Sequence, residues 1–293
     1  MKFGISVAFS DASHLGAMAQ AAEAAGFERV TVSDHVIQPE KLATPYPYTE
    51  DGLPRWPPFT DWPDPWVVIG AMSALTRRIR FFTSVYVLGM RNPFLVAKTV
   101  GTAAVMSGDR VELGIGAGWM REEFELLGQT FDGRGQRIDE MIDVLRLIWG
   151  GGFVEHHGEH YDFSRLEMSP VPRSPIPIYV GGFSPPALRR AATRGDGWIS
   201  DLHSTAELAE LIPRVLAIRS QGERAEEPFE VLVTCNDAYD FDGYKRVADL
   251  GATHLTTMPW LFYGANPEIL QEKIDGIARF GDEIIGPMAN HSG

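Results

Sequence analysis

Three stretches of this 293-residue chain carry residue types that chemistry uses. Asp34-His35 closes the predicted strand Arg29 to Ser33. An imidazole titrates near neutral pH, so His35 can give or take a proton. Arg110 to Trp119, RVELGIGAGW, alternates Val111, Leu113 and Ile115 with small or polar residues. It then opens into Gly114, Gly116, Ala117 and Gly118 before Trp119. Bare backbone beside one large ring suits a flat ligand, because glycine lets the chain approach it closely. The spacing is G-x-G-x-G rather than the dinucleotide fingerprint G-x-G-x-x-G, and no acidic residue with the fingerprint's role follows. By itself such a pattern is more often a plain strand-to-helix turn. Gly181-Gly182-Phe183-Ser184 precedes a helical pattern, where backbone amides and a hydroxyl can hold an anion. The same residues also fit a barrel turn with Ser184 as N-cap.

Other polar clusters carry less. His156, His157 and His160 lie in HHGEH without a carboxylate triad or partner histidines, so a solvated hairpin is expected and no metal site. Cys235 sits in a strand pattern without a local histidine and is expected to be a buried thiol. The run MREEFEL at 120–126 is expected to be a solvated helix face. Asn290-His291-Ser292 matches the glycosylation triplet but means nothing in a cytosolic tail.

Composition bounds the class. The chain is 44% hydrophobic and 22% charged, which suits one large α/β domain over 1–293. A net charge of -13 argues against nucleic acid or an anionic membrane as main partner. A single cysteine permits no internal disulfide. MKFGISVAFSD is too short an apolar run for a secretory signal, and no later run approaches membrane-spanning length, so a soluble cytoplasmic protein is expected.

The elements that would position these residues alternate in type. Strands are predicted at 3–8, 29–33, 79–87, 110–115, 176–180, 198–200, 229–234 and 253–257. Helices are predicted from Ser13 to Gly26, Asp64 to Leu75, Pro93 to Met106, Arg134 to Trp149, Ser184 to Arg194, Thr205 to Arg219, Asp242 to Leu250 and Pro267 to Phe280. In the fourth helix Ile138, Met141, Ile142, Leu145 and Ile148 share one face. Residues 38–63, Pro-rich with Trp56, Phe59 and Trp62, have no clean period and suit a binding loop or lid. Residues 153–175 form an excursion, with a hairpin expected. Eight strands alternating with helices over this length match a (β/α)8 TIM barrel, in which functional residues gather at the carboxyl ends of the strands.

These pieces resemble the bacterial luciferase-like flavin and deazaflavin oxidoreductases over nearly the whole chain. The likeness is carried by VSDH at 32–35, TSVYVLGMRNPFLVAK at 83–98, ELGIGAGWMREEFELLG at 112–128, RIDEMIDVLRLIW at 137–149, PIYVGGFSPPALRRAATRGDGWI at 177–199 and GATHL at 251–255. The sequence is most similar to the branch that uses coenzyme F420, with FMN as the alternative cofactor. The resemblance implies a homodimer with a small-molecule substrate. It also implies a non-proline cis peptide at Ser84-Val85 under the cofactor ring. Cofactor contacts are expected from Asp34, Ser84, Val85, Gly116, Ala117, Gly118 and Trp119. Gly181, Gly182, Phe183 and Ser184 are expected at the phosphate, and His35 facing the substrate as the catalytic group.

The chain departs from the sugar-phosphate dehydrogenases of that family. They carry a glutamate where this chain has Trp119, and a lysine after the sixth strand where this chain reads SDLHST. Hydride transfer to or from an aromatic or unsaturated small molecule is therefore expected. An FMN-dependent two-component monooxygenase and a barrel that binds its cofactor without turnover are the alternatives.

Overall fold

The computed structural model describes residues 1–291, with side chains as far as residue 289. Asn290-His291-Ser292 thus lies outside the described side chains. The strands are β1 (Lys2–Ser6), β2 (Arg29–Val32), β3 (Arg80–Thr83), β4 (Tyr86–Val87), β5 (Val111–Gly116), β6 (Val154–His157), β7 (Asp162–Leu166), β8 (Ile178–Gly181), β9 (Gly197–His203), β10 (Glu230–Cys235) and β11 (His254–Thr257). All except β6 and β7 lie in one parallel sheet, in the order β3-β2-β1-β11-β10-β9-β8-β5-β4, and pairing of β3 with β5 closes the ring. That is a closed eight-stranded parallel barrel, with helices around it. β6 and β7 form a separate antiparallel hairpin, as the excursion suggested.

The outer elements are α1 (Leu15–Ala24), α2 (Pro65–Leu75), α3 (Pro93–Ser107), α4 (Arg121–Leu126), α5 (Arg134–Trp149), α6 (Pro185–Arg194), α7 (Thr205–Ser220), α8 (Phe241–Asp249), α9 (Pro259–Phe262), α10 (Leu270–Phe280) and α11 (Gly286–His291). Local chemistry sets their ends. Asp64 accepts from the Trp66 and Val67 amides before α2, and Asn92 from Phe94 and Leu95 before α3. Gly108, at φ 72°, ends α3 in the left-handed conformation. The predicted face of α5 is buried as its period required.

Three boundaries differ from expectation. Asp11, not Ser13, receives the Ser13 amide, and a 3-10 turn precedes α1. The final long helix starts at Leu270 rather than Pro267, because Asn266 accepts the Glu268 amide and Glu272 the Asn266 amide, holding a turn there. The predicted strand at 79–87 is broken in two. Phe81 and Phe82 pair with Val111 and Glu112, then Tyr86 and Val87 pair with Ile115 and Gly116. Ser84 and Val85 bulge out of the ladder between them, and their peptide bond is cis.

The barrel interior is layered. At the starts of the strands Arg29 binds Glu112 at 2.6 Å and Glu230 at 2.7 Å, Arg80 binds Glu112 at 2.5 Å, and Tyr179 donates to Glu230 at 2.8 Å. Buried charge survives only when paired in this way. Above this plug Phe82, Tyr179, Ile199 and Leu232 fill the bore, with Val85 packed on top. No helix among the described residues is long and apolar enough to cross a membrane.

Candidate active site

The carboxyl ends of the strands open into a cleft of about 1120 Å³. Every residue singled out from the sequence stands on its wall: Asp34, His35, Ser84, Val85, Gly116 to Trp119 and Gly181 to Ser184. Among the described residues no group of histidine, cysteine or carboxylate side chains is placed to hold a metal. His156 instead pairs with Glu140 at 3.0 Å and the exposed His157 with Asp162 at 2.6 Å.

The glycines are bare for a packing reason that the sequence does not show. A Cβ on Gly116 would stand 2.5 Å from Val85 Cγ2, and one on Gly181 2.7 Å from Val85 Cγ1. The Val85 side chain, not a ligand, occupies that room. Gly118, at φ 80°, would meet Val87 and Phe124 at 2.5 and 2.6 Å. Gly116 and Gly181 let the bulge seat against β5 and β8, and the backbone of all three glycines lines the cleft. Trp198, fully buried, donates to the Gly182 carbonyl at 2.8 Å and fixes the turn before α6.

Asp34 also works inward. Its carboxylate takes both ends of the Arg91 guanidinium, at 2.7 and 2.8 Å, and the Val87 amide at 2.9 Å. It ties the end of β2 to the strand that follows the bulge, and leaves His35 as the next residue to reach the cleft.

His35 is nearly enclosed. Its Nδ1 lies 3.1 Å from Glu123 Oε2, with side chains 9% and 2% exposed respectively. The other Glu123 oxygen accepts the Val36 and Ile37 amides at 2.5 and 3.2 Å. Burial pushes the Glu123 carboxyl up, but His35 and these amides outweigh it and hold the group below the usual carboxylate range. The expectation of a solvated face at 120–126 is overturned here. Glu123 is buried, and Glu122 reaches across to the amides of Ala43 and Thr44 at 2.7 and 2.9 Å.

The loop at 38–63 brings rings to His35. Trp56 and Trp62 lie 5.1 and 4.9 Å from its centroid, and Trp119 at 6.0 Å. Tyr46 packs edge-on to Trp119 at 5.0 Å and to Trp56 at 5.3 Å. Arg55 fastens this loop to the barrel, binding Asp201 at 3.0 Å and the Tyr48 carbonyl at 2.9 Å. Tyr46, Tyr48, Arg55, Glu123 and Arg134 escaped the sequence analysis. None of them carried a period or a motif in the sequence.

The anion end is sparser than a helix N-terminus suggests. α6 opens with Pro185-Pro186, so its first two positions carry no N–H. Ser184 occupies the N-cap position but its hydroxyl caps nothing, which leaves it for a ligand. Arg134 lines the same cleft, bonded to the Gly118 carbonyl at 2.9 Å and stacked on Phe131. Burial and the neighbouring Arg121 guanidinium lower its pKa. Cys235 is half-buried on the cleft wall rather than within the core, its thiol donating to Asp237 at 3.1 Å. Burial pushes that thiol up, which keeps it a thiol at neutral pH.

A family model described as luciferase-like monooxygenase matches residues 1–240, and the chain belongs to that family. An uncharacterized protein of Mycobacterium tuberculosis is 38% identical over 98% of this chain and 100% of its own length. The F420-dependent glucose-6-phosphate dehydrogenase of Gordonia bronchialis is 32% identical over 76% of this chain, which spans 62% of that relative. In fold, the monooxygenase RslO1 from Streptomyces bottropensis superposes with a TM-score of 0.75 at 17% identity, over 98% of this chain and 100% of that one. The chain is an enzyme of this oxidoreductase family, which removes the alternative of binding without turnover.

Proposed function

We propose that this enzyme uses coenzyme F420 to move a hydride between the deazaflavin ring and a small apolar substrate, aromatic or unsaturated. The observation that carries the reading is His35: it is held by Glu123 on one nitrogen while Trp56, Trp62 and Trp119 wall it against the cleft. A proton-handling group in an apolar, water-poor pocket suits redox chemistry that must also move a proton. The name of the Gordonia bronchialis relative supports the cofactor. Trp119, standing where sugar-phosphate dehydrogenases carry a glutamate, supports a substrate unlike theirs.

The cleft suits the cofactor chemically. About 1120 Å³ accommodates a tricyclic ring with its side chain. Val85 offers an apolar seat, while Ser6, Thr31 and Thr234 offer hydroxyls to a heteroaromatic edge. The free Ser184 hydroxyl and Arg134 would hold the phosphate. Bound there, the deazaflavin supplies a two-electron hydride donor or acceptor that oxygen barely touches. This chain's residues bind it, exclude water with the 38–63 loop, and manage the proton at His35.

An FMN-dependent monooxygenase is the second reading, favoured by the family description and the fold of RslO1. Turnover of reduced F420 with a substrate panel should be the same with and without air. Rapid oxygen-dependent turnover of reduced FMN, with substrate oxygenation, would replace the first reading by the second. The proposal extends to a homodimer, supported by exposed Val67 and Leu75 on α2 and Leu95 and Met106 on α3. Light scattering would give its mass.

A further inference from the structure

We infer that Glu123 is a positioning residue with two simultaneous duties: Oε2 fixes which nitrogen of His35 carries the proton, and Oε1 pins the root of the 38–63 loop. The inference rests on the proposed hydride chemistry for its consequence, but its geometry stands apart from that chemistry.

The donor count decides the tautomer. An ionised carboxylate only accepts, and a backbone N–H only donates. Glu123 is 2% exposed and faces the Val36 amide, the Ile37 amide and His35 Nδ1. For all of these bonds to exist, Nδ1 must carry hydrogen. A neutral imidazole with Nδ1–H presents a lone pair at Nε2, the nitrogen left for the cleft. Hydride transfer to or from an unsaturated substrate would leave one proton to be moved, and Nε2 would be the atom that handles it. In the oxidative direction that proton would pass to Nε2, and the imidazolium formed would be paired with Glu123. In reduction the same proton would return to the substrate.

Among the described residues, the charged neighbours of His35 in sequence and of Glu123 on α4 are engaged elsewhere. Asp34, the preceding residue, is neutralised by Arg91, which approaches from beyond β4. Glu122, next on α4, is turned to Ala43 and Thr44. The rings packed on His35, Trp56, Trp62 and Trp119, are uncharged. Val36 and Ile37 immediately precede the loop that carries Trp56 and Trp62. The same carboxylate therefore sets the base and seats the wall around it.

The variant Glu123→Gln separates the duties. Its one oxygen can serve the two amides, which cannot reverse. Its NH2 then faces Nδ1 and drives His35 to the Nε2–H tautomer. Two-bond 15N–1H NMR on the ligand-free protein, with His35 assigned by its loss in His35→Asn, reads this without any turnover. Wild type should show Nδ1–H and E123Q Nε2–H. An Nε2–H wild type would overturn the inference.

With turnover, E123Q should lower kcat about 10²-fold, leave cofactor affinity within about threefold, and add less than about threefold on the His35→Asn background. Full multiplication of the two losses would make Glu123 merely structural and overturn the inference. If His35→Asn alone left turnover unchanged, the acid–base part of the proposed function would fall. The wild-type NMR spectrum would still decide the tautomer.

Discussion

Val85 stands in the space that a side chain at position 116 would need, its Cγ2 2.5 Å from the Cβ that Gly116 lacks. The glycine that ends β5 is thus bare because a neighbouring bulge fills its flank. Gly116→Ala should push Val85 toward the cleft and weaken cofactor binding at least about tenfold, roughly 1.4 kcal/mol. Adding Val85→Ala should restore it. Fluorescence titration checks both steps, and unchanged binding by Gly116→Ala alone would refute the packing.

Arg134 lies on the cleft wall near Gly118, the helix dipole of α6 being weakened as a donor site by Pro185-Pro186. Arg134→Met, which keeps the stem over Phe131, should cost a phosphorylated ligand about 1.5–3 kcal/mol. A ligand without phosphate should lose little. Comparing FMN with riboflavin in both proteins isolates the phosphate contribution.

The Arg55–Asp201 bridge joins the 38–63 loop to the end of β9 with each side chain about a third exposed, 29% and 31%. Such a pair contributes roughly 0.2–1 kcal/mol and weakens with salt. Arg55→Ala should therefore leave the melting temperature nearly unchanged. It should speed proteolytic cleavage within 38–63 and raise KM a few-fold. Cleavage no faster than wild type would show that the rings alone hold the loop.

At the opposite end of the barrel Glu28 sits beside Lys2 at 2.7 Å and His254 at 3.8 Å. Burial raises its pKa, but His254, Lys2 and Arg29 outweigh it and bring it from 4.5 down to about 2. Its native pKa lies below its unfolded one, so its stabilisation is complete above about pH 4.5 and fades as pH falls toward 2. Urea melts of wild type and Glu28→Gln should differ at pH 6 and converge near pH 2. A gap that persists at low pH would assign the effect to packing.

What the sequence made legible was periodic or capped: the buried face of α5, Asp64 before α2, and Asp34-His35 at a strand end. The cis bond at Ser84-Val85 came from family resemblance, since no spacing announces it. The partner of His35 was hidden. In REEFEL Glu122 and Glu123 fall in the first turn of α4, where the dipole alone accounts for them. The groups that bury Glu123 lie 86 to 88 residues away, on a segment without a period. The packing around Gly116 was hidden for a related reason. A missing Cβ shows that space is needed, but only the fold shows that Val85 takes it.

The most direct measurement is titration of the purified protein with oxidised F420 and, separately, with FMN, followed by fluorescence. Micromolar F420 binding with much weaker FMN binding is the expected result. Tight FMN binding with weak F420 binding would contradict the deazaflavin reading and move the enzyme to oxygen-using chemistry. Binding of neither would leave the barrel and its family in place and remove the proposed function.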